Sequence, residues 1–189
     1  WVSRIKFGGL IDIPDEQGET RDQGPVSGMA VDLFSSETQE WEILNLSDAL
    51  VRGRLPEKSG EILIGEKMSH QLNVKPGETA TLIGSTMYGS MAMANFTVAG
   101  TVRFGVTALD RGAMIADIRD IRAALDMEDA AGEVLGLFND FVYNDERAEK
   151  IKAAFNDNYA KDNDEFLPVM NTLPAQSGMA DYLEMVGSI

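Results

Sequence analysis

Between Gly60 and Leu82 the sequence GEILIGEKMSHQLNVKPGETATL leaves no spacer between its elements. Glu61 to Ile64 reads as a short apolar strand. Glu66 to Leu72 reads as a short helix, with Met68 and Leu72 spaced i,i+4 on one face. Pro76-Gly77 suits positions i+1 and i+2 of a type II turn. Glu78 to Ile83 then alternates Thr79 and Thr81 against Ala80 and Leu82, the pattern of a strand with one buried face. A unit this tight is rigid, and it contains no arrangement of catalytic groups.

The flanks are less regular. Ser3 to Ile13, SRIKFGGLIDI, reads as a strand broken by a bulge at Gly8-Gly9, with Ile5, Phe7, Leu10 and Ile13 inward. Pro14 to Gln23 is polar, with Pro and Gly, and predicts a long mobile connection to a second strand over Val26 to Phe34. Glu42 to Val51 predicts one short helical face around Leu46, Ala49 and Leu50. Gly53 to Gly60, dense in Gly, Pro and charge, marks a subdomain boundary. Further strands are expected at Phe96 to Phe104, Ala113 to Ala116, Glu133 to Phe138 and Phe166 to Met170. Helices are expected from an Asp117 N-cap through Met127, over Asp145 to Tyr159 with Ala148, Ile151 and Phe155 as its inner stripe, and over Met179 to Ile189. No internal repeat of useful length is visible.

Composition narrows the function. The 189 residues carry a formal net charge of −15, which excludes non-specific nucleic-acid binding through clustered Lys and Arg and docking of a basic patch on an anionic membrane. Cysteine is absent, so disulfides, thiolate metal sites and Cys nucleophiles are excluded. No window is apolar enough to span a membrane. The chain begins at Trp1 and stops after an amphipathic stretch, and it reads as an excerpt of a longer protein.

No catalytic, cofactor-binding or metal site emerges. His70 is the single histidine, and its neighbour Ser69 points another way on a helix, so the two make no nucleophile–base pair. Asn156 to Glu165 is acidic but fails the calcium-loop spacing, with Tyr159 or Phe166 at ligand positions. The methionines of GSTMYGSMAMAN are different. Met87, Met91 and Met93 lie with Tyr88 in a Gly- and Ser-rich connector, and flexible, polarizable methionine suits an adaptable contact surface. These four residues are the candidate partner contact, on a hairpin expected to be mobile.

The stretch VRGRLPEKSGEILIGEKMSHQLNVKPGETATLIG, followed by FTVAGTVRFGVTALDRGAMIADIRDIRAAL, resembles the extracytoplasmic domain of ABC-transporter permeases of the MacB, FtsX and LolC/LolE kind. Gly53, Arg54, Glu61, Gly65, Leu72, Gly77, Phe96, Val98 and Gly100 carry the match, with Asp110 in the variable segment after it. The resemblance covers Val51 to Leu125 and loosens at both ends. Members of that family usually have a membrane helix and a long ectodomain helix before this segment, so Trp1 would lie well inside the domain.

The resemblance implies an α+β fold in two parts, an inserted small β-rich (Sabre-like) unit over 48–106 and a porter-like β-α-β part from 1–47 and 107–189. It implies a non-catalytic domain without a cofactor, outside the inner (cytoplasmic) membrane, which couples cytoplasmic ATP hydrolysis to export, lipoprotein release or activation of a partner. Its partners would be the ABC ATPase subunit, a second permease protomer and a periplasmic protein or lipoprotein. The alternatives are a β-barrel domain of an enzyme, because the strand-turn-strand Leu72 to Leu82 suits such a barrel, and a free periplasmic binding protein.

Overall fold

The computed structural model describes residues 1–159 and 167–175. Contacts along the chain define two units, Trp1–Gly136 and Leu137–Ile189. The first contains β1 (Val2–Pro14), β2 (Thr20–Val31), α1 (Glu40–Ile43), α2 (Leu46–Ala49), β3 (Leu50–Gly53), β4 (Glu61–Gly65), α3 (Glu66–Gln71), β5 (Thr79–Ser85), β6 (Met91–Val102), α4 (Thr107–Gly112), β7 (Ala113–Asp117), α5 (Ile118–Ala124) and β8 (Glu133–Leu135). The fold class is α+β, as expected.

Six of these strands close into a barrel in the order β1-β2-β7-β4-β6-β5 and back to β1. The β2–β7 and β4–β6 pairs are parallel and the other pairs antiparallel. β8 extends the sheet beside the start of β1, and β3 beside the end of β6. Closure leaves few free edges, which blunts edge-to-edge association. Residues 48–106 supply β3 to β6 and the flanks supply β1, β2, β7 and β8, so both parts of the expected division enter one sheet.

The barrel contains a repeat that the sequence does not announce. Hairpin β1–β2, a crossover, β4 and α3 are followed by hairpin β5–β6, a crossover, β7 and α5. Each hairpin's second strand pairs in parallel with the other half's last strand, and the equivalent strands β1 with β5 and β4 with β7 pair antiparallel. The helix ends match too. Asn73 and Asp126 are left-handed at φ 46° and 54°. The Val74 N–H reaches Ser69 O at 3.0 Å and the Met127 N–H reaches Arg122 O at 2.9 Å, the six-residue closure of a Schellman motif. Asn and Asp tolerate the left-handed region better than branched residues do. This motif stops α5 at Ala124, short of the expected Met127.

Both faces of β4 and β7 are buried, which is why EILIG and AMIA read as unbroken apolar runs. Ile62, Ile64 and Met114 join Ile5, Ile11, Leu82, Phe96 and Ile121 in the barrel core. Leu63 and Ile115 face the other way, onto Leu46, Trp41 and Val102. The expected single helical face over 42–51 is split into α1 and α2 by Asn45, at φ 48°. At the edge of this second core Arg4 on β1 meets Glu40 on α1 through two hydrogen bonds of 3.0 and 2.7 Å.

The β1–β2 hairpin corrects two expectations. No bulge occurs at Gly8-Gly9; pairing runs in register from Ile5↔Ala30 to Ile13↔Asp22, and the only shift falls at Ile13/Pro14. Gly9 serves closeness instead, as does Gly28 on β2. A Cβ on Gly9 would collide with the Ile83 carbonyl, and one on Gly28 with the Phe7 ring. The connection is also short, since β2 begins at Thr20. The Asp15 carboxylate accepts from the Gln17 and Glu19 N–H groups at 2.8 and 2.9 Å and organises the turn. α4, unexpected from sequence, places Asp110 so that its carboxylate accepts the Phe104 N–H at 2.8 Å.

The second unit holds α6 (Asp145–Tyr159) at its expected bounds, started by the Asn144 side chain accepting from the Arg147 N–H at 2.9 Å. The expected inner stripe is not buried: Ala148 and Phe155 are half-buried and Ile151 is exposed. No strand forms over 167–170. The Asn156 side chain instead bridges the Met170 N–H and C=O at 2.9 and 3.1 Å, and a 3₁₀ turn follows at Leu173–Ala175. Phe166 and the helix expected over 179–189 lie outside the described residues.

Candidate functional site

Several reactive side chains of the barrel are occupied in holding it together, although one carboxylate oxygen of Asp12 on β1 is buried without a hydrogen-bond partner among the described residues. Ser69 donates to the Val74 carbonyl and receives Arg52, while His70 turns out to solvent and meets Glu66 at 2.9 Å. Asp117 caps α5, accepting from the Arg119 N–H at 3.0 Å and from the Leu33 N–H at 3.0 Å. Among the described residues no cluster of three His, Asp or Glu is placed to hold a metal.

Glu61 is buried and accepts from both Arg54 amino groups, one of them at 2.8 Å, and from the Glu57 N–H at 2.9 Å. The Arg54 hydrogen bonds hold its carboxyl down at about 2. A depressed carboxyl contributes its stability above the unfolded value near 4.5 and loses it as the pH falls toward 2. Arg54 is partly open to solvent, which screens some of the effect, so the loss amounts to about 2–3 kcal/mol. We expect urea unfolding midpoints to drop between pH 6 and pH 2.5, and Glu61→Gln to flatten that drop while lowering the midpoint at pH 6. An unchanged acid limb in the variant would show that other carboxyls dominate.

The candidate contact residues are brought together at the tip and outer face of β5–β6. The register Ile83↔Met93 and Ser85↔Met91 turns Ala92, Ala94 and Phe96 toward the core and Met91, Met93 and Asn95 outward. Met87, Tyr88, Met91 and Met93 are 53%, 78%, 77% and 63% exposed. β6 therefore begins at Met91, five residues before the expected Phe96.

The tip is built around Thr86. Its N–H donates to Ser90 O at 2.8 Å, its hydroxyl accepts from the Ser90 N–H at 3.1 Å, and Gly89 supplies the positive φ of 83° that the turn needs. The Met87 N–H donates to Leu125 O at 2.9 Å, so the tip is fastened to the end of α5. The backbone is held while the large apolar side chains stand in solvent.

One further part of this surface escapes a sequence reading. Pro25 pairs with Leu10, Leu10 with Ile83 and Ile83 with Met93. Partners across antiparallel strands share a face, so a row of four apolar side chains crosses the outside of the barrel and runs into the hairpin. Leu10 is 41% exposed. It reads as inward only if Gly8-Gly9 bulges.

The fold is similar to the crystal structure of the extracellular domain of the noncanonical ABC-type transporter YknZ from Gram-positive bacteria. The TM-score is 0.55 at 13% sequence identity, over 90% of this chain and 80% of that one. No protein-family model and no curated protein matches the chain.

Proposed function

We propose that the chain is the extracytoplasmic domain of an ABC-transporter permease of the MacB, FtsX or LolC/LolE kind. In this reading it is anchored in the inner (cytoplasmic) membrane by segments outside the sequence. It couples ATP hydrolysis on a cytoplasmic ATPase subunit to substrate export, lipoprotein release or activation of a partner. The domain is non-catalytic and carries no cofactor. A second permease protomer and a periplasmic protein or lipoprotein are its further partners. The observation that supports this most is the likeness of fold to a transporter's extracellular domain along nearly the whole chain. A closed barrel with a fastened, apolar-tipped hairpin also suits a part that transmits motion to a partner, since a lever must not deform at its contact.

The absence of cysteine makes a clean test possible. In the full-length protein, Tyr88→Cys is the single thiol of this domain, and it sits at an exposed tip. It is expected to react with a membrane-impermeant maleimide in intact spheroplasts. Labelling only after lysis would place the domain on the cytoplasmic side and leave the enzyme-barrel reading.

A further inference from the structure

We infer that the groove between the hairpin tip and the α5–β8 connection receives a partner segment in which Lys or Arg alternates with aliphatic residues. This rests on the hairpin being a partner contact and adds the chemistry of what it contacts. The groove, of about 680 Å³, is lined by Met87 and Tyr88 from the hairpin tip as one wall, and by Arg119, Arg122, Asp126, Glu128 and Asp129 from α5 and the connection after it as the other. The first wall offers adaptable apolar contact and an aromatic face for a cation. The second offers carboxylates.

Those carboxylates are not spoken for. Among the described residues no Lys or Arg pairs with them. Of the groove's own cations, Arg119 is paired with Asp117 at 2.9 Å, while Arg122 is held by Ala130 O at 2.8 Å and keeps its charge, so three carboxylates face one uncompensated guanidinium and the balance stays acidic.

Both walls are also preset. Asp126 and Asp129 take left-handed φ of 54° and 55° in a connection tightened by the Ala130 N–H to Met127 O bond of 3.0 Å. The Met87 bond to Leu125 O joins the apolar wall to the residue before Asp126. Walls fixed before binding lose little freedom on binding. A second copy is a poor occupant, because it would bring its own charge of −15 to an acidic groove, whereas a basic segment is attracted.

The test uses two short fluorescent peptides, one alternating Leu with Lys and one alternating Leu with Glu, titrated into the chain by anisotropy. The Lys peptide is expected to bind and the Glu peptide not. Asp126→Asn/Glu128→Gln/Asp129→Asn should weaken binding at least about 10-fold, and Met87→Ser/Tyr88→Ser similarly. Glu16→Gln/Glu19→Gln/Glu37→Gln removes as many charges from exposed positions elsewhere and should leave binding unchanged.

Equal binding of the Glu peptide, an indifferent groove variant, or an equal loss in the charge-matched control would each overturn the proposal. So would concentration-dependent self-association that the groove variant abolishes, since the groove would then hold a second copy. If Met87→Ser/Tyr88→Ser stops transport in the full-length protein while no peptide binds, the permease reading stands and the partner's chemistry falls.

Discussion

Glu40→Ala is expected to cost about 3–5 kcal/mol, because it strands a buried guanidinium. Glu40 is fully buried and Arg4 is 8% exposed. Their paired hydrogen bonds repay the desolvation of both ions only while both are present. Without Glu40, Arg4 stays on a strand that pairs with β8 at Arg4 and with β2 from Ile5 onward, with only a tenth of its side chain open to water. The loss is a large part of the roughly 5–15 kcal/mol by which domains are usually stable. The double variant Arg4→Met/Glu40→Leu removes both charges and should recover to within about 1–2 kcal/mol of the parent. Urea unfolding of the two variants decides the matter. A double variant as unstable as Glu40→Ala would mean that lost packing, not the stranded charge, sets the cost.

The second large effect is at the seam where the two halves of the barrel meet. Ile64 on β4 pairs with Met114 on β7, and both are fully buried in the barrel core. Ile64→Ala should cost about 2–5 kcal/mol through lost burial and the cavity it leaves. The seam joins equivalent strands, and its cross-strand partners share a face, so both side chains fill adjacent space in the same core. Met114→Ala alone should also cost a few kcal/mol, and the double variant is expected to depart from additivity by about 0.5–3 kcal/mol. Strict additivity in unfolding free energies would show that the two halves pack independently.

Local elements were legible where chemistry and periodicity agree. The Pro76-Gly77 turn is present, with the Glu78 N–H on Lys75 O at 3.1 Å and Gly77 at φ 96°. Asp117 caps its helix and α6 has its expected bounds. The misread residues are glycines and left-handed polar residues, whose roles depend on what lies across from them. Gly8-Gly9 looks like a bulge in one strand. Only the Ile83 carbonyl against Gly9 shows why a side chain is excluded there. Because strand faces alternate, that single misreading turned Leu10 inward. Asn45 and Asp126 end helices without a glycine, so no breaker marks them. The exposed methionines were legible because glycine and serine surround them. Asp126, Glu128 and Asp129 were not, since only the Met87–Leu125 hydrogen bond brings them beside the hairpin.

The repeat within the barrel bears on how such a chain is inherited. Each half lends its last strand to the other half's hairpin, so neither half is a complete object, and any change to the shared wall must satisfy both at once. The two hairpin tips escape that restraint. One is Asp-, Glu- and Gln-bearing and the other Met- and Tyr-bearing, although they occupy equivalent places. Descent can therefore hold the wall nearly constant while it rewrites one tip at a time. Two relatives that share this barrel and little sequence would then differ first in the side chains at their tips.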